Sequence, residues 1–186
     1  MRLGVLVSGR GSNLAAILDA GFEVALVVSN RRGVRALEVA AAHLVPAPVR
    51  RRSEFPDGDA RDVAIGTDLA AAGVDLVVLA GYDQRLRSGY FTTFGGRTIN
   101  LHPSLLPAHG GPGMMGPSVH RSVLDAGDTE TGVTIHEVTP DLDDGPILAQ
   151  SRVPVRHDDD AESLAARVLV EEHRLLVETL RSIVGR

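Results

Sequence analysis

The sequence predicts an α/β protein in which helices cover both faces of a mostly parallel sheet. Through the first two-thirds of the 186 residues, short β-rich runs alternate with helix-like stretches. The first run ends in a glycine-rich turn, as strands commonly do before helices in such sheets. The last third changes to two β-rich runs and a long amphipathic stretch, which predicts antiparallel C-terminal strands. No repeat or linker divides the chain, so we expect a single domain over residues 1–186.

The N-terminal elements alternate regularly. Residues 3–8 are an aliphatic run that predicts a buried strand, and the turn after them leads into an alanine-rich helix over residues 12–20. Residues 23–29 repeat the pattern as a second strand, followed by a helix over residues 33–42. Residues 45–49 contain prolines, which restrict them to a short strand at the edge of the sheet.

The middle of the chain continues the alternation of helices and strands. A helix is expected over residues 59–72, and residues 74–80 (Val-Asp-Leu-Val-Val-Leu-Ala) predict the clearest core strand. A short helix over residues 89–94 then precedes a strand over residues 97–101.

The last third predicts a different arrangement. Residues 131–139 and 146–153 are β-rich runs joined by a short acidic loop, a length that suits an antiparallel pair. Residues 160–183 place leucine and valine at helical spacing, which predicts a long amphipathic closing helix.

The composition excludes several classes of function. The net charge of −5 and the 3% of aromatic residues argue against a nucleic-acid-binding surface. All 19 basic residues are arginine, so neither a lysine Schiff base nor a Walker-type phosphate loop can form. There is no cysteine for a disulfide, and no apolar run approaches the ~20 residues that span a bilayer. We therefore expect a cytoplasmic protein with no nucleic-acid and no membrane partner.

The first motif is Ser-Gly-Arg-Gly-Ser-Asn at residues 8–13, called the phosphate turn below, between the first strand and the first helix. Glycines here let backbone N–H groups face an anion, and the helix N-terminus adds a favourable dipole. A phosphate site is expected, with Ser12 and Asn13 as further donors. The alternative is a plain turn in which one of these two side chains caps the helix. A dinucleotide site is less favoured, because Leu14 replaces the third glycine of that fingerprint.

The second motif places Asn100 and His102 two residues apart at the end of a strand. Side chains at this spacing point to the same side, and ligands bind beyond the carboxyl ends of parallel strands. An amide can donate to a developing oxyanion and an imidazole can move a proton, which together suit acyl transfer. The alternative is that both side chains bond only to local backbone groups.

The third motif is the acidic run Asp-Leu-Asp-Asp-Gly-Pro at residues 141–146. A carboxylate from this run that faced His102 would favour the imidazolium form and raise the pKa of that histidine. The alternative is a solvated acidic turn.

In their order and spacing, these motifs resemble the glycinamide ribonucleotide formyltransferases, folate-dependent enzymes of purine synthesis. The resemblance runs from Leu3 to about Val177 and includes the runs at residues 77–82, 100–107, 132–136 and 142–146. It implies a Rossmann-like formyltransferase fold. It also implies transfer of the formyl group of 10-formyltetrahydrofolate to the amine of glycinamide ribonucleotide, without a metal.

The resemblance also assigns roles to residues. Asn100 and His102 would be catalytic, with Asp143 raising the pKa of His102 and His136 in support. The remaining assignments are binding residues. The residues that would bind the substrate are Gly11, Ser12, Asn13 and Glu172. The folate would be bound largely through backbone groups, by Asp83, Gln84, Arg85, Leu86, Asn100, Thr139, Pro140, Asp141, Leu142 and Asp143.

The sequence departs from the family pattern in a few places. Residues 82–86 (Tyr-Asp-Gln-Arg-Leu), called the folate loop below, replace a Met-Arg-aliphatic run that relatives commonly have. Leu169 stands where a polar residue is frequent, and Arg61 aligns only loosely with an arginine for the folate tail. The other histidines, including His109, are assigned no role, and the histidine spacing matches no standard metal signature.

Several alternatives stay open at the level of the sequence. A sugar-amine or methionyl-tRNA formyltransferase, or a formyltetrahydrofolate deformylase, would share the chemistry, although such enzymes carry further domains that we do not expect here. A non-catalytic nucleotide-binding protein is the alternative from another class. The expected partners are small molecules, and the chain is expected to be a monomer or a homodimer. Residues 109–117 contain four glycines and predict a lid beside the reacting groups.

Overall fold

The computed structural model describes residues 1–140 and 145–185. Within these ranges the strands are β1 (Leu3–Val7), β2 (Val24–Ser29), β3 (Leu76–Leu79), β4 (Arg97–His102), β5 (Glu130–Glu137) and β6 (Ile147–Pro154). The helices are α1 (Ser12–Asp19), α2 (Arg35–Ala42), α3 (Gly58–Ala71), α4 (Ser88–Thr93), α5 (Pro117–Ala126) and α6 (Ala161–Val184), with a 3₁₀ turn at Arg52–Glu54. Most of these elements match the predicted ones within a few residues.

The strands form one sheet in the order β2-β1-β3-β4-β5-β6. Strand β1 pairs in parallel with both β2 and β3, so that Leu3 lies opposite Val24 on one side and Leu76 on the other. Strands β5 and β6 are antiparallel, with Val133 opposite Ser151. The predicted fold class, an α/β protein with a mostly parallel sheet and antiparallel pairing at the C-terminal end, is confirmed.

Backbone contacts divide the chain into two compact units, Met1–Ile99 and Asn100–Arg186, and the boundary falls inside β4. In the first unit, every residue of β1 and β3 is buried, as expected for aliphatic strands flanked by neighbours on both sides. In the second unit, α6 packs on β5 and β6 through a buried stripe that includes Leu164, Val168 and Leu176. The single domain over residues 1–186 stays a prediction.

Residues 45–49, predicted as a short edge strand interrupted by prolines, form less than a strand. The segment lies beside β2, but only one isolated bridge forms, between Ser29 and Val49. The carbonyls of Pro46 and Pro48 accept hydrogen bonds from β2 over 3.0 and 3.1 Å. Proline has no N–H to donate in return. The first N–H that donates to β2 is that of Arg50, just after the segment, over 2.7 Å to the Ser29 carbonyl. The prolines therefore reduce the predicted strand to a half-bonded extended segment.

Helix α5 was not predicted from the sequence. Pro117 occupies its first turn, and Gly127 ends it with a φ of 71°. Proline at the start and glycine past the end are a recognised pair of helix signals. Those two signals could have located the helix from the sequence.

Candidate functional site

The phosphate turn between β1 and α1 is shaped by Gly11. This glycine has a φ of 75° and precedes the helix, which has no side-chain cap. A Cβ at Gly11 would lie 2.6 Å from the Cα of Ala36, so only glycine lets the turn pack on α2. The alternative in which Ser12 or Asn13 caps the helix is therefore wrong. Both residues lie in the first turn of α1, where N–H groups have no acceptor within the helix.

Asp83 ties the phosphate turn to the folate loop within the first unit. Its carboxylate accepts hydrogen bonds from the Ser8 hydroxyl over 2.9 Å and from the Asn30 amide over 2.7 Å. Arg31 forms an ion pair with the same carboxylate. The Asp83 N–H donates back to Ser8 Oγ over 2.9 Å. The side chain that was assigned to folate is thus engaged with residues at the ends of β1 and β2.

A buried ion pair lies beneath the folate loop. The Nε of Arg61 donates to Oδ1 of Asp62 over 2.8 Å, and the two side chains are 2% and 0% exposed. Arg61 Nη1 also donates to Gln84 Oε1 over 3.0 Å, and Nη2 lies 3.4 Å from the Arg85 carbonyl. Burial raises the pKa of Asp62, although the guanidinium of Arg61 opposes the shift. This placement does not favour Arg61 as a ligand of the folate tail, because its donors are used inside the unit.

Asn100 and His136 meet in the second unit, at the ends of β4 and β5. Asn100 Nδ2 and His136 Nε2 are 3.1 Å apart. His136 Nδ1 lies 2.9 Å from the Glu137 carbonyl, which can only accept, so Nδ1 carries the proton and Nε2 accepts from Asn100. One N–H of the Asn100 amide is therefore committed to His136. Since His136 is 2% exposed, this contact fixes the plane of the amide.

His102 ends β4 and is 4% exposed. Its Nε2 lies 2.8 Å from the carbonyl of His109, and a carbonyl can only accept, so Nε2 carries a proton. Nδ1 makes no hydrogen bond to any residue within the ranges 1–140 and 145–185. His102 is thus anchored through one ring nitrogen, while the other makes no hydrogen bond to the described residues.

The chain that leaves His102 crosses β5 and is held there by Thr134. The Thr134 hydroxyl accepts the Leu106 N–H over 3.0 Å, and Gln150 donates to the same oxygen over 2.9 Å. Gly132 permits the close approach, because a Cβ there would lie 2.6 Å from the Leu105 side chain. These contacts fix the direction in which the chain continues from the catalytic histidine that the sequence predicts.

The remaining assigned residues are placed as follows. Thr139 is half-buried and Pro140 exposed just after β5, and Glu172 is half-buried on α6. Asp141, Leu142 and Asp143 lie outside the described residues. In the parts of the chain that the structure describes, no three His, Asp or Glu side chains are grouped as metal ligands. Nor is any helix of those parts long and apolar enough to cross a membrane.

Sequence reasoning missed three residues that hold the His102 segment: Thr134, Gln150 and His109. Thr134 lies two residues before His136 on β5, so the two-residue strand period could have indicated it. His109 contributes through a left-handed backbone with a φ of 53°, which no sequence pattern marks in a residue other than glycine.

Comparisons with known proteins agree over nearly the whole chain. A family model described as "Formyl transferase" matches residues 1–180. A phosphoribosylglycinamide formyltransferase of Mycobacterium tuberculosis is 43% identical over 186 residues, covering 98% of this chain and 84% of its own length. The crystal structure of glycinamide ribonucleotide transformylase 1 from Symbiobacterium toebii superposes with a TM-score of 0.91 at 42% identity, covering 97% of this chain and 86% of that one.

Longer proteins also contain a similar segment. The trifunctional purine biosynthetic protein adenosine-3 of Drosophila pseudoobscura pseudoobscura is 39% identical over 180 residues, which is 92% of this chain. The chain spans 13% to 18% of the length of the animal trifunctional proteins that it matches.

Proposed function

Because the chain belongs to the formyl transferase family, we propose that it transfers the formyl group of 10-formyltetrahydrofolate to the amine of glycinamide ribonucleotide. The names of the bacterial relatives support this acceptor. The folate donor is supported by the resemblance carried by residues 100–107. The observation that carries the proposal is an oriented amide, Asn100, two residues from an anchored imidazole, His102, at the end of β4.

The proposal also covers the domain organisation, the cellular location and the oligomeric state of the enzyme. The family match crosses the boundary between the two compact units, which supports a single formyltransferase domain over residues 1–186. We place the enzyme in the cytoplasm, as a monomer or homodimer whose partners are small molecules.

Asn100 has the role of stabilising charge on the formyl oxygen. The substrate amine attacks the formyl carbon, and the bond from that carbon to the folate nitrogen then breaks. The amide N–H that is not committed to His136 donates to the oxygen as negative charge develops on it. Removing one such donor from an enzyme typically lowers kcat by about 10²–10³-fold.

His102 has the role of moving the proton. The attacking amine loses one proton in the reaction and the departing folate nitrogen gains one. His102 Nδ1 serves this exchange, because Nε2 is anchored to the His109 carbonyl. The resemblance makes Asp143 the carboxylate that keeps His102 protonated.

The phosphate turn and the folate loop have binding roles. N–H groups of residues 11–13 are directed along the axis of α1, where its dipole favours the substrate phosphate. Glu172 binds the amine end of the substrate. By the resemblance, the folate loop and residues 139–143 hold the folate largely through backbone groups. In the loop this is supported by Leu86, which is 4% exposed, and by the Asp83 carboxylate, which is engaged with Ser8, Asn30 and Arg31.

A direct assay tests the proposal. The purified protein should transfer formyl from 10-formyltetrahydrofolate to glycinamide ribonucleotide with no metal added, and equally in the presence of a chelator. Tetrahydrofolate release that does not need the acceptor would indicate a deformylase instead. Activity that disappears with chelator and returns with zinc would contradict the metal-free mechanism.

A pair of adjacent variants tests the role of Asp143. Asp143→Asn should lower kcat by on the order of 100-fold, because it removes the charge that supports protonated His102. Asp144→Asn is the matched control, since it removes the same charge one residue away. A larger effect of Asp144→Asn would show that the resemblance is read in the wrong register in this loop.

A further inference from the structure

His109 has a left-handed backbone conformation. Its φ is 53°, in the left-handed region that residues other than glycine seldom adopt. The carbonyl of this residue is the acceptor for His102 Nε2, over 2.8 Å. The direction of that carbonyl, and with it the anchoring of His102, therefore depends on keeping His109 in this conformation.

The imidazole of His109 is held at both of its nitrogens. Nε2 lies 2.7 Å from Asp128 Oδ2, and Nδ1 lies 2.8 Å from Ser122 Oγ. A carboxylate accepts only, so Nε2 donates to it, while the hydroxyl can pair with Nδ1 in either protonation state. Ser122 lies on α5 and Asp128 lies just before β5, so the ring is tied to two separate elements.

These contacts form a chain that ends at His102, the residue proposed to move the proton. Asp128 and Ser122 hold the ring of His109, the ring holds the backbone, and the backbone carbonyl accepts from His102. The tautomer of His102 that remains after Nδ1 gives up its proton carries hydrogen on Nε2. That is the tautomer which the His109 carbonyl stabilises. Without that acceptor, neutral His102 would divide between its two tautomers.

We propose that His109 is a positioning residue for formyl transfer, whose side chain, fixed by Asp128 and Ser122, keeps His102 in the Nε2–H tautomer with Nδ1 directed to the substrates. The inference rests on the proposed function for its catalytic consequence. Its structural consequence, the tautomer of His102, can be measured in the protein without any substrate.

Three variants separate this role from a general effect on the fold. His109→Asn tolerates the left-handed backbone but is too short to bridge Ser122 and Asp128. Asp128→Ala removes one anchor of the ring at a position that is 41% exposed, where little else is disturbed. Asp125→Ala is the matched control, because it removes an exposed carboxylate of α5 that is three residues away.

Long-range ¹H–¹⁵N spectra of the histidine rings report the tautomers directly. At a pH at which the ring signals show His102 to be neutral, it should be a single Nε2–H tautomer in the wild type and in Asp125→Ala. His109→Asn and Asp128→Ala should give a mixture. In both, kcat should fall by on the order of 10-fold while KM for each substrate changes by less than about 2-fold.

The possible failures are distinguishable. A pure Nε2–H tautomer in His109→Asn and Asp128→Ala overturns the inference, whether or not kcat falls, since any loss would then arise elsewhere. If the wild type shows no formyl transfer, the proposed function fails, and the tautomer spectra still decide what His109 does to His102. Should His109→Asn fail to fold, Asp128→Ala alone decides the question.

Discussion

Arg61 and Asp62 carry opposite charges in the interior of the first unit, almost without contact with water. Taking charges out of water costs several kcal/mol per ion, and good pairing is needed to offset that cost. The second oxygen of Asp62 accepts the Arg87 N–H over 2.8 Å, while Arg61 reaches Gln84. The two side chains therefore neutralise each other's charge, and they also hold Gln84 of the folate loop and Arg87 just after it.

Arg61→Met should lower the free energy of unfolding by about 3–5 kcal/mol at pH 7, because it leaves the Asp62 carboxylate buried without a cation. Burial already raises the pKa of Asp62, and loss of Arg61 raises it further. A carboxyl with a raised pKa binds its proton more readily in the folded state, so lowering the pH toward about 5 favours folding of the variant. Urea unfolding at both pH values should show the loss shrinking as the pH falls.

Arg32→Met is the control for that experiment. Arg32 pairs with Glu54, but the two side chains are 69% and 35% exposed. Because this pair is so accessible to water, Arg32→Met should lower the free energy of unfolding by less than about 1 kcal/mol at either pH. A similar loss in both variants, or a loss for Arg61→Met that does not depend on pH, would contradict the presence of an uncompensated buried charge.

The identities of the reacting residues could be predicted from the sequence, but their hydrogen bonds could not. Asn100 and His102 share one side of β4 because strand side chains alternate, and that rule needs only their spacing. Which ring nitrogen of His102 is anchored depends on the carbonyl of His109, whose direction follows from a left-handed φ. The partner of Asn100 is His136, which is 36 residues away along the chain.

Among the elements, the segment of residues 109–117 has the geometry of a loop that can rearrange. Gly111, Gly113 and Gly116 all have positive φ, and Met115 is 53% exposed. Glycines lower the barrier to backbone changes, and methionine offers an adaptable apolar surface. We therefore keep the prediction that this segment closes over bound substrates as a lid.

Hydrogen exchange tests the lid. Amides of residues 110–116 should exchange more slowly when glycinamide ribonucleotide and a folate analogue are both bound, because closure protects them from water. Amides in the middle of α6 provide an internal reference that should not change. Equal exchange with and without ligands, together with unchanged kinetics after the loop is shortened, would make the segment a plain connector.

The elements that could be predicted are those with a continuous pattern. Strands β1 and β3 are unbroken aliphatic runs, which is what a parallel strand with two neighbours needs. Helix α5 buries only Val119, His120 and Val123, and so few buried positions do not establish a helical period. The signals that mark α5 are instead local, namely the proline in its first turn and the glycine past its end.

For the whole molecule, the single domain predicted over residues 1–186 has a direct test. Both tyrosines, Tyr82 and Tyr90, belong to the first compact unit, so tyrosine fluorescence reports that unit alone. Far-UV circular dichroism also senses α6, the 24-residue helix of the second unit. We expect the two signals to give the same urea midpoint, because coincident transitions are the mark of one cooperative unit. Separate midpoints would mean that the units unfold independently.

The two edges of the sheet, at β2 and at β6, differ in their hydrogen bonding and exposure. Beside β2, the segment that contains Pro46 and Pro48 accepts hydrogen bonds at positions where it cannot donate. At the other end, β6 carries Ile147 and Leu148, which are 48% and 37% exposed. The backbone of an edge strand is a ready template for a strand from another molecule. Aggregation during expression or concentration should therefore begin at β6, and a lysine in place of Leu148 is the first substitution to make for a more soluble protein.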